Sequence, residues 1–409
     1  MTPARRKWHG QTVPSGEAQA PRFVLSRGEW WLLLLLALLI VVGLVCIYNA
    51  TYYLAYQAYG DAAYFVRRQA AAAALGLLGL AALWRMDRRR LQRLSIPLML
   101  AGVLSLVAVL LFGEERLGAQ RSFYNGSFQP SELVKPIVIL YLATWLPTKG
   151  DRLREWGRGF VPFLMVLGAT VIPIFLQPDL GTGLVIVLIA TSMFWVSGAT
   201  PGQVVLGLAL GALAFGVLVW VHPHAMARLA DYLQTLRHPD GPVGHLGAVW
   251  QAIRSGGVFG RGPGASLWTL SGQIPLPHSD SAFAVIGETF GFAGLVGVIL
   301  LLTGWVALGM GVAWKAPDLF GRLLALGVVQ WIAWQALINL GGLMGVIPFT
   351  GIPSPFISYG GSALLSELLG VGLLLNVARG QGDADLDRRG RNWRAHLPGT
   401  GRRGSAAGR

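Results

Sequence analysis

Ten apolar runs divide the 409-residue chain: 30–50, 67–85, 94–112, 131–148, 159–177, 180–197, 203–222, 281–309, 322–347 and 361–378. Each approaches the roughly 20 residues that a helix needs to cross a bilayer, although the second, fourth and sixth are short and lean on their flanks. Only one interval between runs is long. It carries two helical patterns, Ala225–Leu236 and Leu246–Ser255, separated by Gly- and Pro-rich turns, and it includes Trp250 and Trp268. A loop of this length in a compact protein is functional or disordered, and the patterns favour an ordered cover. The expected fold is therefore an all-α integral membrane protein. It has ten transmembrane helices and a long structured extracytoplasmic loop between helices 7 and 8. The expected organisation is a disordered basic tail (1–29), a membrane domain (30–379) containing the large loop (222–280), and a disordered Arg-rich tail (380–409).

Composition agrees with a lipid-solvated chain: 54% of residues are apolar and 13% charged, against roughly 25% charged in soluble domains. The net charge of +14 would suit nucleic acid if it were spread over one face, but Lys and Arg collect in short loops and tails. With both termini in the cytoplasm, 24 of the 33 Lys and Arg lie inside, eight lie outside and Lys135 falls within a span. That asymmetry is the positive-inside pattern, with attraction to anionic membrane lipid, and it excludes a nucleic-acid partner. Arg67 and Arg68, at an outer end, run against it. Cys46 is the sole cysteine, which excludes an internal disulfide and any zinc or redox site. The first apolar run follows a basic tail and is too long for the core of a cleavable signal.

Polar residues within the apolar runs mark candidate sites. Asp280 stands where the long loop meets the eighth run, with His278 two residues before it. A carboxylate at that depth is a functional candidate, and a helix cap is the alternative. Glu132 and Lys135 are three apart on one helical face and can pair, which makes their joint burial tolerable; the pair reads either as a structural staple or as the lining of a polar cavity under the outer surface. Gln177 and Asp179 join the fifth and sixth runs almost without a loop, and Asp179 reads as an N-cap. Gln335 and Asn339, four apart, read as interhelical hydrogen-bonding glue. The last outer loop, Gly345 to Ser362, holds three Pro and four Gly; irregular backbone there needs protein or a wet cavity to satisfy it. Its backbone N–H groups could receive a phosphate, and Ser358 within it is a further cavity candidate. The loop carries no cation, so Arg121, Arg228 and Arg261 on other outer loops are the candidates to supply charge.

Several blocks carry a resemblance. Gly118-Ala-Gln-Arg121, Phe128-Gln-Pro-Ser-Glu-Leu-Val-Lys135, Gln177-Pro-Asp-Leu-Gly-Thr182, Ser255-Gly-Gly-Val-Phe-Gly-Arg-Gly262, His278-Ser-Asp280 and Gly351-Ile-Pro-Ser-Pro-Phe-Ile-Ser-Tyr-Gly-Gly-Ser362 come in the order found in the SEDS family (shape, elongation, division and sporulation). The chain resembles that family over about residues 30–380. The resemblance implies a ten-span peptidoglycan glycosyltransferase of the bacterial cytoplasmic membrane. Such an enzyme polymerises lipid II on the outer face, during elongation or division, in complex with a class B penicillin-binding protein. It puts the family's essential acid on Asp280 and its Arg, Glu and Lys positions on Arg121, Glu132 and Lys135. The chain departs from the pattern at Ser281 and Ala282, which replace bulky residues beside the acid, at Arg254, at Thr289 and around Gly244–Val249.

In the reaction implied, Asp280 acts as general base on the acceptor sugar hydroxyl. Arg121, with Lys135 or a divalent metal (Mg or Mn), offsets charge on the departing diphosphate. No ligand cluster is visible, so a metal would share Asp280 with phosphate oxygens. Two alternatives stay open: a flippase that moves lipid II through the same polar cavity, and a non-catalytic scaffold that activates a partner synthase.

Overall fold

The computed structural model describes residues 27–116, 119–123, 128–237, 244–265, 268 and 279–395, with the side chains of 114–121, 224 and 381–395 left aside. Twelve α-helices follow one another among these: α1 Arg27–Tyr59, α2 Tyr64–Arg85, α3 Arg88–Phe112, α4 Pro130–Trp145, α5 Val161–Leu176, α6 Leu180–Val196, α7 Pro201–Val221, α8 Pro223–Arg237, α9 Gly244–Gly256, α10 Ala282–Lys315, α11 Leu319–Leu343 and α12 Gly361–Ala395. Between α3 and α4 lies a short antiparallel hairpin, β1 Glu114–Arg116 and β2 Ala119–Ser122, an addition to the all-helical expectation. Two tight 3₁₀ turns (Leu146–Thr148 and Gly150–Arg154) and a wider π turn (Trp156–Phe160) lead into α5.

Among the described residues, eight helical segments are long and apolar enough to cross a membrane. α6, at 17 residues, is a shorter apolar helix, and α4, at 16, carries the Glu132–Lys135 pair. The chain is thus a multi-pass membrane protein. α12 continues to Ala395, past residue 380, where the sequence reading starts an unstructured tail. Asp385 and Asp387 each precede an Arg by four residues (Arg389, Arg391), a spacing that supports a helix.

Burial ranks the helices. Within the apolar windows of α11 and α12, 72% and 78% of residues are buried, against 6% in α7. α11 and α12 therefore form the centre and α7 an edge that only lipid or another protein can cover. α2 lies along α12, α10 packs on α1, α9 and α11, and α4 is wedged among α3, α6, α11 and α12.

Two stretches of irregular backbone enter this bundle. α10 breaks at Gly291, whose φ of +69° suits glycine. The turn after α9 repairs the break: Phe292 and Ala293 donate to the carbonyls of Gly257 and Val258, and Arg261 and Gly262 donate to those of Glu288 and Thr289. The second stretch is the loop 344–360 between α11 and α12, in which Ile352, Ser354, Phe356, Ile357 and Ser358 are buried. Its approach to α1 is so close that a Cβ on Gly43 would lie 2.8 Å from the Cα and carbonyl oxygen of Ile357.

Gly43→Ala is expected to lower thermal stability in detergent, because overpacking against rigid backbone costs about 1–3 kcal/mol. Gly297→Ala, on α10 with open space around it, is the control and should leave stability unchanged or raised. Equal melting temperatures for the two variants would contradict this placement of the loop.

Candidate active site

The loop 344–360 is held by side chains from three helices. From α11, Asn339 Nδ2 donates to the carbonyl of Ile352 at 2.6 Å, and Gln335 Nε2 donates to that of Pro353 at 3.1 Å. Glu367 of α12 accepts from the Phe356 N–H at 2.8 Å. Gln69 of α2 accepts from the Gly360 N–H and donates to the Ser358 carbonyl. Phe356 has a φ of +63°, an outlier for an aromatic residue, and Glu367 together with packing against Trp305 pins it there.

At its buried end the loop meets a charge network. Lys135 Nζ lies 2.8 Å from Glu132 Oε2, with side chains 1% and 5% exposed. The contact is an ion pair without hydrogen-bond alignment at that oxygen. Lys135 also donates to Gln335 Oε1 at 3.1 Å and lies 5.3 Å from the Trp331 ring centre. The same Oε1 accepts from Trp331 Nε1, while Gln335 Nε2 donates to Glu367 Oε1. Glu132, Lys135, Gln335 and Glu367 therefore form one buried unit, in which losing a single charge would strand the other.

At its surface end the loop meets Asp280. Asn339 Nδ2 donates to the Asp280 carbonyl as well, so one amide ties the loop to the residue that precedes α10. The half-buried Asp280 accepts at Oδ1 from Ser279 Oγ. A Cβ on Gly351 would lie 3.1 Å from Asp280 Oδ2 and 3.0 Å from Arg228 Nη1. Carboxylate and guanidinium thus converge on a glycine that leaves them room. Arg228 comes from α8, donates to the Thr350 carbonyl at 3.0 Å and lies over the Phe349 ring. Tyr232 and Trp250, bonded to the carbonyls of Val346 and Leu343, fasten α8 and α9 over the loop.

His245 of α9 packs at a tilt on Phe349, with ring centres 4.3 Å apart, and places Nε2 3.3 Å from Ser281 Oγ, next to Asp280. Burial pushes its pKa below the ordinary value, the Arg228 cation adds to that shift and Asp231 opposes it.

The remaining sequence candidates divide. Asp179 caps α6 by accepting from the Thr182 N–H and binds Ser131 and Gln129 of the α4 entry. Gln177 Nε2 donates to the Leu106 carbonyl of α3. Ser358 Oγ accepts from the Ser354 N–H within the loop's own turn. Arg121 lies on β2 and its side chain is outside the described residues, as is His278. The sequence reading missed Glu367, Gln69 and His245. A lone acid inside the apolar run 361–378 was the signal available for Glu367. Nothing local marked His245, whose contacts come from segments distant in sequence. Among the described residues no three His, Cys, Asp or Glu side chains stand together as a metal cage. With Arg228 beside Asp280, these donors do not fit a resident divalent ion.

Because the folded-state pKa of His245 is lowered, its contribution to stability is fully present above the ordinary value of 6.5. It is lost as pH falls from there through the lowered value. Melting temperature is expected to drop between pH 7.5 and 5.5, and His245→Gln should flatten that drop. An equal slope in the variant would contradict this environment for the imidazole.

Comparison with known proteins follows the same boundaries. A profile of the FtsW/RodA/SpoVE family, described as cell cycle proteins, matches residues 29–382. Stage V sporulation protein E of Bacillus subtilis is 35% identical over 352 residues, covering 85% of this chain and 96% of its own. A probable peptidoglycan glycosyltransferase FtsW of Trichlorobacter lovleyi is 34% identical over 369 residues, covering 88% and 95%. A chain from a solved structure on the coordination of polymerization and crosslinking by a peptidoglycan synthase complex superposes with a TM-score of 0.71. It shares 32% identity and covers 86% of this chain and 98% of its own.

Proposed function

Because the chain belongs to the FtsW/RodA/SpoVE (SEDS) family, we propose that it is a peptidoglycan glycosyltransferase that polymerises lipid II, with Asp280 as its general base. The observation that carries this reading is the convergence of the Asp280 carboxylate and the Arg228 guanidinium on Gly351, under the cover of α8 and α9.

Chain growth joins a sugar hydroxyl of one lipid II to the anomeric carbon of another sugar held on a lipid diphosphate. In our reading Asp280 takes the hydroxyl proton as the new C–O bond forms and the bond from the anomeric carbon to the diphosphate oxygen breaks. The lipid diphosphate leaves with the bonding electrons. A diphosphate leaves as an anion and needs a nearby cation more than a proton. Arg228 takes that role in preference to Lys135, which is spent in the buried network, and Arg121 is a second candidate. Glu367, Glu132 and Lys135 act on position: Glu367 directly holds the loop against which Asp280 rests, and the Glu132–Lys135 pair does so through Gln335. One carboxylate with a cation suffices, without the paired carboxylates of a glycoside hydrolase.

The same reading assigns ten crossings, the eight long helical segments together with α4 and α6. It puts both termini in the cytoplasm of a bacterium and α8, α9 and the loop 344–360 on the outer face, as the Lys and Arg distribution suggests. It keeps 30–379 as the membrane domain, with 222–280 as its outer loop. A class B penicillin-binding protein is the proposed partner, in line with the synthase complex that the fold matches.

Purified chain together with its transpeptidase should make glycan polymer from lipid II. Asp280→Asn should lower the rate about 10²–10⁴-fold while keeping monodispersity and lipid II binding. Near-normal synthesis by the Asn variant would overturn the assignment. Lipid translocation in proteoliposomes without polymer from the wild type would establish the flippase instead.

A further inference from the structure

A groove of about 550 Å³ opens between α1, α2 and the turn that follows α9, and its lining shares no residue with the candidate active site. Leu44, Tyr48, Asn49, Tyr52, Val66 and Pro263 line it, and no charged side chain does. That volume lies within the range of small-molecule pockets. One lining residue is out of character. Asn49 is 2% exposed, and its Nδ2 finds no acceptor among the described residues. A buried amide left unsatisfied is costly.

The depth of that amide can be read from α1. Trp30 and Trp31 are exposed at one end, and Tyr48, Tyr53, Tyr56 and Tyr59 are exposed at the other. Such aromatic belts mark the two interfaces of a membrane. From Trp31 to Asn49 the helix climbs about 27 Å, close to the roughly 30 Å of the hydrocarbon core. Asn49 therefore sits where acyl chains end and ester carbonyls begin. Val66 of the groove is followed directly by Arg67 and Arg68, both exposed. Arg67 pairs with Asp61, and Arg68 lies over Tyr64. These are the two cations that run against the positive-inside pattern.

We infer that the groove is a binding site for a glycerophospholipid, one acyl chain along the apolar lining, its ester carbonyl accepting from Asn49 Nδ2 and its phosphate at Arg67–Arg68. A glycerophospholipid carries a neutral carbonyl between chain and phosphate, matching a neutral donor below two cations. A prenyl diphosphate presents charged oxygens directly at the chain end, where this groove has no charged lining. Nδ2 has almost no exposed surface, so the carbonyl reaches it when a neighbouring side chain turns. The site does not depend on the polymerase reading.

The test is photo-crosslinking of the full chain in nanodiscs that contain phosphatidylglycerol with a diazirine on its acyl chain. Label is expected on peptides spanning 44–52 and 66 above that on the exposed face of α7 around Trp220, and unlabelled phosphatidylglycerol should compete it. Asn49→Leu should reduce groove label about fivefold, the factor that one neutral hydrogen bond implies. Val45→Trp, which fills the groove from a lipid-facing position, should reduce it as well and keeps the test available if Asn49→Leu fails to fold. Groove label no higher than on α7, label unchanged in the folded variants, or competition by undecaprenyl diphosphate alone would overturn the proposal.

Discussion

A peptide chain without regular structure can enter a bilayer only where protein groups satisfy its N–H and C=O groups. The loop 344–360 is irregular chain buried among the helices and faces the same requirement, and the central part of this molecule is arranged around it. Gln69, Gln335, Asn339 and Glu367 reach in from α2, α11 and α12 and bond its backbone at five of its residues, Ile352, Pro353, Phe356, Ser358 and Gly360. α1 contributes Gly43, where a side chain would displace the loop. The break in α10 at Gly291 obeys the same rule, with the turn 257–262 as its supplier of partners. Both stretches could be placed at depth because amides and a carboxylate were placed at depth with them.

That requirement links two groups of charges that are otherwise separate. Lys135, paired with Glu132, donates to Gln335, and Gln335 holds Pro353. One residue earlier, Ile352 is held by Asn339, which also bonds Asp280. One residue before that, Gly351 lies between Asp280 and Arg228. The consecutive residues 351–353 thus connect the buried ion pair to the half-buried acid. Under the proposed function, the Glu132–Lys135 pair requires no contact with substrate: it stiffens the wall on which the Asp280 carboxylate is set.

Much of the helical layout was legible because membrane-length apolar runs announce themselves. The expected stretches Ala225–Leu236 and Leu246–Ser255 lie within α8 and α9, since amphipathic periodicity and Gly/Pro punctuation are local signals. The capping geometry at Asp179 was legible for the same reason. What could not be read is what depends on contacts between distant segments. Glu367 and Gln69 look like stray polar residues until the loop is folded between them. His245 gains its meaning from Phe349 and Ser281. Arg228 was one of three cation candidates in the sequence, and only the packing of α8 on the loop sets it beside Asp280. Arg67 and Arg68, anomalous by charge, became interpretable once the groove at Asn49 was seen.

The most direct measurement is a double-mutant cycle between Glu367→Leu and Asn339→Ala, read as thermal stability in detergent and as exchange of the peptide carrying Gly351. The two side chains hold the loop four residues apart, at Phe356 and Ile352. If the loop acts as one linked element, the cycle yields a coupling of about 0.5–3 kcal/mol, and Glu367→Leu raises exchange at Gly351. Additivity within about 0.5 kcal/mol, with exchange at Gly351 unchanged, would contradict it.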